Sequence, residues 1–470
     1  MFRVDDRRLF CLIPVFFLFP EQAAAHAFPE RLDPHMPFTW YLAGAAVAVI
    51  LSFICAACSM RSVDTALHKS TFLVPSQLER TLHHGGRIFG VLALLALLIV
   101  GILGPQEHWE RNLLPVTIWV YFWVMLLLGC ALIGNVFSVI NPLATLGRIL
   151  AREPHGTITS AWPAAGFLLC FAWAELIWTH NTNPQALAIL ISAYMLLTML
   201  AMRCFGAEAW LRHGEVFHVV FSLAGRMAPL STSHQSGRKV LVLRPPGSGL
   251  FTGGPSDHGR VAVILILLAM VSFDGYSETL AWSSLSGGIM HVLFQLGVVS
   301  SLGYTTAGAM AKTLGLVSAI VLVSSAFLVA VGLVAFLERR ALGEAVCAYA
   351  PSLVPIAIGY HLAHYFSYIL IEGQLILSIA SDPLGLGWNL FGTAGHTANI
   401  LDLNMQVIWI TALVGVVGGH VLGILTAQRI ALRRAASPNE ATIHHLPLVV
   451  LMVCYTVFSL WSLSQPILEH

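Results

Sequence analysis

Residues 88–104 read Ile-Phe-Gly-Val-Leu-Ala-Leu-Leu-Ala-Leu-Leu-Ile-Val-Gly-Ile-Leu-Gly, with Arg87 before the run and Gln106-Glu107 just after it. The run holds no charge and approaches the roughly 20 apolar residues that a helix needs to cross a bilayer. Nine further stretches read the same way, at 39–59, 115–139, 161–179, 185–203, 261–281, 316–337, 349–379, 403–427 and 445–464. The expected fold is therefore all-α, a polytopic membrane helix bundle of about ten transmembrane helices. Two stretches, 215–230 and 286–301, read as interfacial or re-entrant rather than spanning.

Composition agrees with this. Of 470 residues, 57% are hydrophobic and 10% charged, where a soluble protein is about 25% charged. Lys plus Arg number 24 against 23 Asp plus Glu, so no net field recruits nucleic acid, and the expected partner is the lipid bilayer. No Gly-x-x-x-x-Gly-Lys-Ser/Thr motif occurs, so the chain has no phosphate-cradling loop of that kind.

The N-terminus reads as a secretory signal. Arg3, Arg7 and Arg8 precede an apolar run from Leu9 to Pro20, followed by Ala23-Ala24-Ala25-His26-Ala27. That run is too short to span but fits a signal core. Residues 1–25 are the expected signal peptide, and 26–470 a single multi-span domain. Cleavage after Ala25 would expose His26, whose amine and ring suit copper if His35 lies nearby.

Loop charges orient the spans. If the loop after the first span is cytoplasmic, that side carries eighteen Lys and Arg, from Arg61 to Arg434. The opposite loops carry three, Arg31, Arg111 and Lys312. Such a bias predicts an inner-membrane protein with the mature N-terminus and the C-terminus both outside. The one long cytoplasmic loop, about 204–260, contains Pro245-Pro246-Gly247 and Gly253-Gly254-Pro255 and reads as turn-forming.

Ionisable groups inside a membrane are costly and mark candidate sites. The eighth span holds Tyr360-His361-Leu362-Ala363-His364-Tyr365, then Tyr368 and Glu372. His361 and His364 share a helical face, and the ninth span adds His420 after Gly418-Gly419. His361, His364 and His420 are candidate ligands for a divalent metal such as zinc, copper or iron. Asp274, with Glu278 one turn on and His291 beyond, suits a cation or a general base. Glu175 and His180 allow the same choice. Asp382 reads as a loop cap and Asn135 and Asn141 as helix-end residues. Alternatives for the histidines are a buried polar network, a proton relay for a proton-, metal- or solute-transporting protein, or axial ligation of a b-type haem by His361 and His420.

Several motifs carry a resemblance. They include Ala25-His26-Ala27-Phe28, Gly134-Asn135-Val136, Ala172-Trp173-x-Glu175, Gly214-Glu215-x-Phe217 and Phe273-Asp274-Gly275. Ala363-His364-Tyr365-Phe366-Ser367, Glu372-Gly373-Gln374, Ser381-Asp382-Pro383 and Gly419-His420-Val421 continue it. In these the chain resembles the bacterial integral-membrane family known as fenitrothion hydrolase, along nearly its whole mature length. It departs from that family at Pro29 and at Ala427-Gln428-Arg429, where relatives often carry glycine and histidine. The resemblance implies a phosphoric triester hydrolase of the aryldialkylphosphatase type, acting on a lipophilic small-molecule substrate and releasing a nitrophenol. In a metal-assisted form, His361, His364 and His420 would hold the ion, and Glu372 or Asp274 would take the proton. A second membrane subunit remains open as a partner.

The orientation predicts that alkaline phosphatase fused after Ser464 is active in bacteria, while the same enzyme fused after Arg340 is inactive. The opposite pattern would invert the topology.

Overall fold

A computed structural model describes residues 38–59, 70–73, 76–149, 156–235, 238–252, 257–399 and 404–465. The expected signal peptide, His26 and His35 lie outside the described residues.

Apolar runs become helices because a chain without water must satisfy its own peptide groups. The principal ones are α1 (Phe38–Ser59), α2 (Ser76–Leu103), α3 (Leu113–Leu132), α4 (Trp162–Leu176), α5 (Pro184–Phe205) and α6 (Val216–Gly225). They continue with α7 (His258–Ser277), α8 (Leu280–Gln295), α9 (Tyr304–Glu338), α10 (Leu342–Ser381), α11 (Met405–Arg434) and α12 (Leu446–Ser464). Among the described residues, nine of these are long and apolar enough to cross a membrane. They match nine of the ten expected spans.

The tenth, expected at 161–179, forms only the 15-residue α4. At 1.5 Å per residue, that is about 22 Å, short of the roughly 30 Å hydrocarbon core. Pro163 starts the helix, and a turn through Trp178 and His180 to Asn183 ends it. Its small face packs on α7, where a side chain at Gly259 would strike the backbone of Ala161 and Trp162.

The stretch at 215–230 supplies α6, ten residues long and buried along most of its length. A short helix in an apolar core still has free amides at one end and free carbonyls at the other. Glu215 caps the first end, accepting the amides of Phe217 at 3.1 Å and His218 at 2.6 Å, and the Tyr194 hydroxyl at 2.6 Å. Arg244 closes the second, donating to the carbonyls of Gly225, Arg226 and Ala228 at 3.0–3.1 Å. Each charge also opposes the helix dipole at its own end.

The loop expected to be only turn-forming is more ordered than that. Besides α6, it contains the strands β2 (Leu230–Gln235) and β3 (Arg238–Leu243). With β1 (Ser70–Leu73) these form a small antiparallel sheet in the order β1-β3-β2, with Phe72 opposite Leu241. The glycines and prolines flag turns, but Val240-Leu241-Val242-Leu243 between them is a run with strand propensity.

The most extensive helix contact joins α10 and α11. Gly415, Gly419 and Gly423 recur every four residues along one edge of α11, a small-residue stripe that lets membrane helices touch. A Cβ at Gly359 would lie 2.3 Å from the Gly415 carbonyl oxygen, and one at Gly419 would lie 2.5 Å from that of Pro355. Neighbouring Gly418 has nothing within 4 Å. We therefore expect Gly419→Val to lower stability in detergent by about 1–3 kcal/mol. Gly418→Ala should change it by less than about 0.5 kcal/mol. Equal thermal melting shifts in the two variants would refute this seam.

Candidate functional site

Three helices converge on one polar centre. α7 brings Asp274 and, one turn later, Glu278; α10 brings His364 and Tyr365; α4 brings Glu175. Asp274 Oδ2 is hydrogen-bonded to His364 Nε2 at 2.9 Å and accepts the Tyr365 hydroxyl at 2.5 Å. That hydroxyl also lies 3.2 Å from Glu175 Oε1. The second oxygen of Glu175 is buried and has no protein partner.

Asp274, Glu278 and His364 each offer one ligand atom, and the three atoms lie within 4.8 Å of one another. Side-chain exposure is 17% for Asp274 and 8% for His364, so the centre is largely shielded from its surroundings. Gly275 is small for a local reason: a Cβ there would sit 2.3 Å from the Tyr360 hydroxyl oxygen. The Phe273-Asp274-Gly275 motif thus presents one carboxylate and lets a tyrosine pass beside it.

Around the centre the aromatic packing is dense. Tyr360 stacks on His364 at 6.3 Å, and the Tyr365 ring meets His361 edge-on at 4.7 Å. His361 lies behind Tyr365, packed edge-on against Trp123 at 5.6 Å. Trp123 belongs to a π-helical stretch, Thr117–Leu126, inside α3. Such widened turns shift the register of the side chains that follow and recur at functional sites. His361 is 2% exposed, and its Nε2 has no protein partner.

The expected residues divide as follows. Asp274 and His364 meet. The expected ligand trio of His361, His364 and His420 is not what converges among the described residues; the group that does is Asp274, Glu278 and His364. His420 faces the Tyr455 ring at 5.8 Å, and its Nδ1 bonds the Val416 carbonyl at 2.8 Å. His361 packs on Trp123 of α3 and His420 on Tyr455 of α12, so the two rings enter different interfaces.

Glu372 also lies apart. At 372–374 the helix tightens to a 3₁₀ turn, and the ionisable neighbours of Glu372 are Tyr368 and Glu110. Its motif partners have anchoring contacts: Tyr121 donates to the Gly373 carbonyl at 2.7 Å, and Gln374 accepts the Asn399 amide at 2.9 Å. His291 pairs with Gln295 and His180 with Thr179, both on the exterior.

Asp382 is a loop cap, accepting the amides of Leu386 at 2.9 Å and Gly387 at 2.8 Å. Desolvation raises its carboxyl pKa, but these amides outweigh it and hold the group below the usual range. Asn135 and Asn141 accept helix-start amides from Ser138 and Ala144.

Sequence reasoning overlooked Tyr365 as the bridge between two carboxylates, and Trp123 as the wall behind His361. The signal for Tyr365 was its place next to His364 inside a span. Nothing in the sequence marks the π-helical register of Trp123.

No protein-family model, no curated protein and no solved structure matches this chain.

Tyr365→Phe should destabilise the protein by about 1–3 kcal/mol, since the one hydrogen that serves Asp274 or Glu175 is lost from a buried site. A double-mutant cycle with Asp274→Asn should give a coupling of about 1 kcal/mol or more. Strict additivity of the two melting shifts would show that the bond carries no weight.

Proposed function

We propose that this membrane-spanning protein is an integral-membrane hydrolase of lipophilic organophosphorus triesters, with its centre at Asp274, Glu278 and His364. One observation carries the proposal: two carboxylates and an imidazole from two helices place ligand atoms within 4.8 Å inside an apolar bundle. The donor set, two oxygens and one nitrogen, suits a divalent ion such as zinc or iron(II). Such an ion would polarise a phosphoryl oxygen and lower the pKa of nearby water. The substrate class follows from the resemblance to the fenitrothion hydrolase family, and a neutral triester concentrates in the same bilayer that surrounds the centre.

The chain's own groups supply the rest of the chemistry. Asp274 orients the His364 ring, and the Tyr365 hydroxyl has two carboxylate seats for its hydrogen, on Asp274 and Glu175. A proton taken up beside His364 can therefore pass to Glu175. Glu175 lies near the end of α4, and Asp274 near the end of α7 that the loop charges place outside. If α4 and the turn after it carry the chain across as the tenth crossing, both termini stay outside and the centre lies in the outer half of the bilayer.

A second reading is cation or proton transport. The hydrogen between His364 and Asp274 occupies the lone pairs a cation would use, so ion binding and proton release are linked.

Purified protein in detergent should bind one zinc ion per chain and release protons as it does so, with affinity falling as pH falls. It should release nitrophenol from fenitrothion. His364→Ala and Asp274→Asn should each lose at least a hundredfold in rate, and Glu372→Gln only a few-fold. Wild-type rates in Asp274→Asn would end this assignment. An inert wild type whose proteoliposomes accumulate zinc would favour transport.

A further inference from the structure

A line of buried polar groups continues away from the Asp274 centre, through the interface of α7, α10, α11 and α12. The Tyr360 hydroxyl, beside Gly275, donates to Ser462 Oγ at 3.2 Å. On α12 the residues Tyr455, Ser459 and Ser462 share one face at helical spacing. The Tyr455 and Ser272 hydroxyls are in direct contact, and Ser272 also donates to the Leu268 carbonyl at 2.5 Å. Next comes His420, whose ring neighbours Tyr455. Two turns further along α11, Gln428 donates to Thr442 at 3.4 Å.

Three atoms on this line have no protein partner: Ser459 Oγ, His420 Nε2 and Gln428 Oε1. All three residues are 0% exposed. One such group costs about 1–3 kcal/mol in a protein interior. Buried polar atoms without protein partners are met by ordered water. Packing alone gives no reason for a serine, an imidazole and an amide to recur along one line through hydrocarbon.

We propose that this seam is a hydrated proton path joining the Asp274–His364 centre to the arginine-bearing end of α11. Each transfer forms one O–H or N–H bond and breaks another, so no oxidant, reductant or leaving group takes part. His420 serves as the titratable station midway, Tyr455 and Ser272 pass hydrogen above it, and Gln428 and Thr442 hold water below it. Gly275 keeps the upper end open, because a side chain there would meet both Tyr360 and Ser462. The path does not depend on the triester chemistry.

The experiment uses the full chain in proteoliposomes with a trapped pH-sensitive dye and a valinomycin-set potassium potential. Wild type should acidify or alkalinise the lumen at least tenfold faster than protein-free vesicles. His420→Ala should abolish most of that flux. Tyr455→Phe, which removes a single oxygen, should reduce it at least fivefold. Gly418→Ala, on the same helix but touching nothing, should conduct as wild type does.

Zinc binding by His420→Ala should match wild type, which separates loss of the path from loss of the Asp274 centre and reports on folding. Two results overturn the proposal: wild-type flux equal to that of empty vesicles, or undiminished flux in both His420→Ala and Tyr455→Phe. A preparation that conducts protons but leaves fenitrothion intact would sink the hydrolase and leave the path standing.

Discussion

The backbones of α10 and α11 touch, and most of the site geometry follows from that contact. Gly359 meets Gly415 and Gly419 at distances that exclude any Cβ. No side chain fits at those glycine contacts, and the polar residues of both helices reach other neighbours. His364 and Tyr365 meet α7, His361 meets α3, and His420 meets α12. Three imidazoles that look like one ligand set along the chain are thereby dealt to three interfaces. In a bilayer, helices gain little from burying apolar side chains against each other, because lipid serves as well. Close backbone packing and polar contacts take over that role, and glycine permits the first.

The same lack of water explains the charged residues that do not belong to the centre. α6 is too short to span, yet sits in the core with both ends closed by side chains, Glu215 at its start and Arg244 at its finish. Farther along, Arg434 pairs with Glu338 at 2.8 Å, and Tyr349 donates to that carboxylate at 2.5 Å, tying the ends of α9, α10 and α11 together. In each case a carboxylate has several donors. Asp274 is also well supplied, but Glu175, His361 and His420 each keep an atom with no protein partner. Such atoms also occur away from the centre, on Trp210, Arg226 and His445 among others, and buried groups of this kind are met by ordered water.

Much of the fold was legible beforehand for a physical reason. A spanning helix announces itself by an uncharged run near twenty residues, and nine such runs became helices, with α2, α9 and α10 starting well before the expected ends, α3 stopping early and α11 running on to Arg434. Glu278 could be paired with Asp274 because residues four apart on a helix share a face, and the two do lie together. The misses have causes too. His361 and His364 are three apart, about 60° around the helix, and with tight packing on one side that angle is enough to assign them to different neighbours. Glu372 was extrapolated along a regular helix, whereas the chain tightens to a 3₁₀ turn there. The strands of the long loop were hidden by the glycines and prolines around them.

From the sequence alone came the solvent of this protein, the order of its long helices, and a short set of ionisable residues that hydrocarbon should not contain. Those are local properties, set by transfer free energies and helical period. Which of those residues meet was decided only in three dimensions, because it depends on where backbones can approach and on the register of each helix at the contact. Gly359 and Gly419 fix one approach, the π-helical stretch around Trp123 fixes another, and neither effect acts between neighbours in the chain. The pairing of Asp274 with His364 spans 90 residues of sequence and exists only once α7 lies against α10.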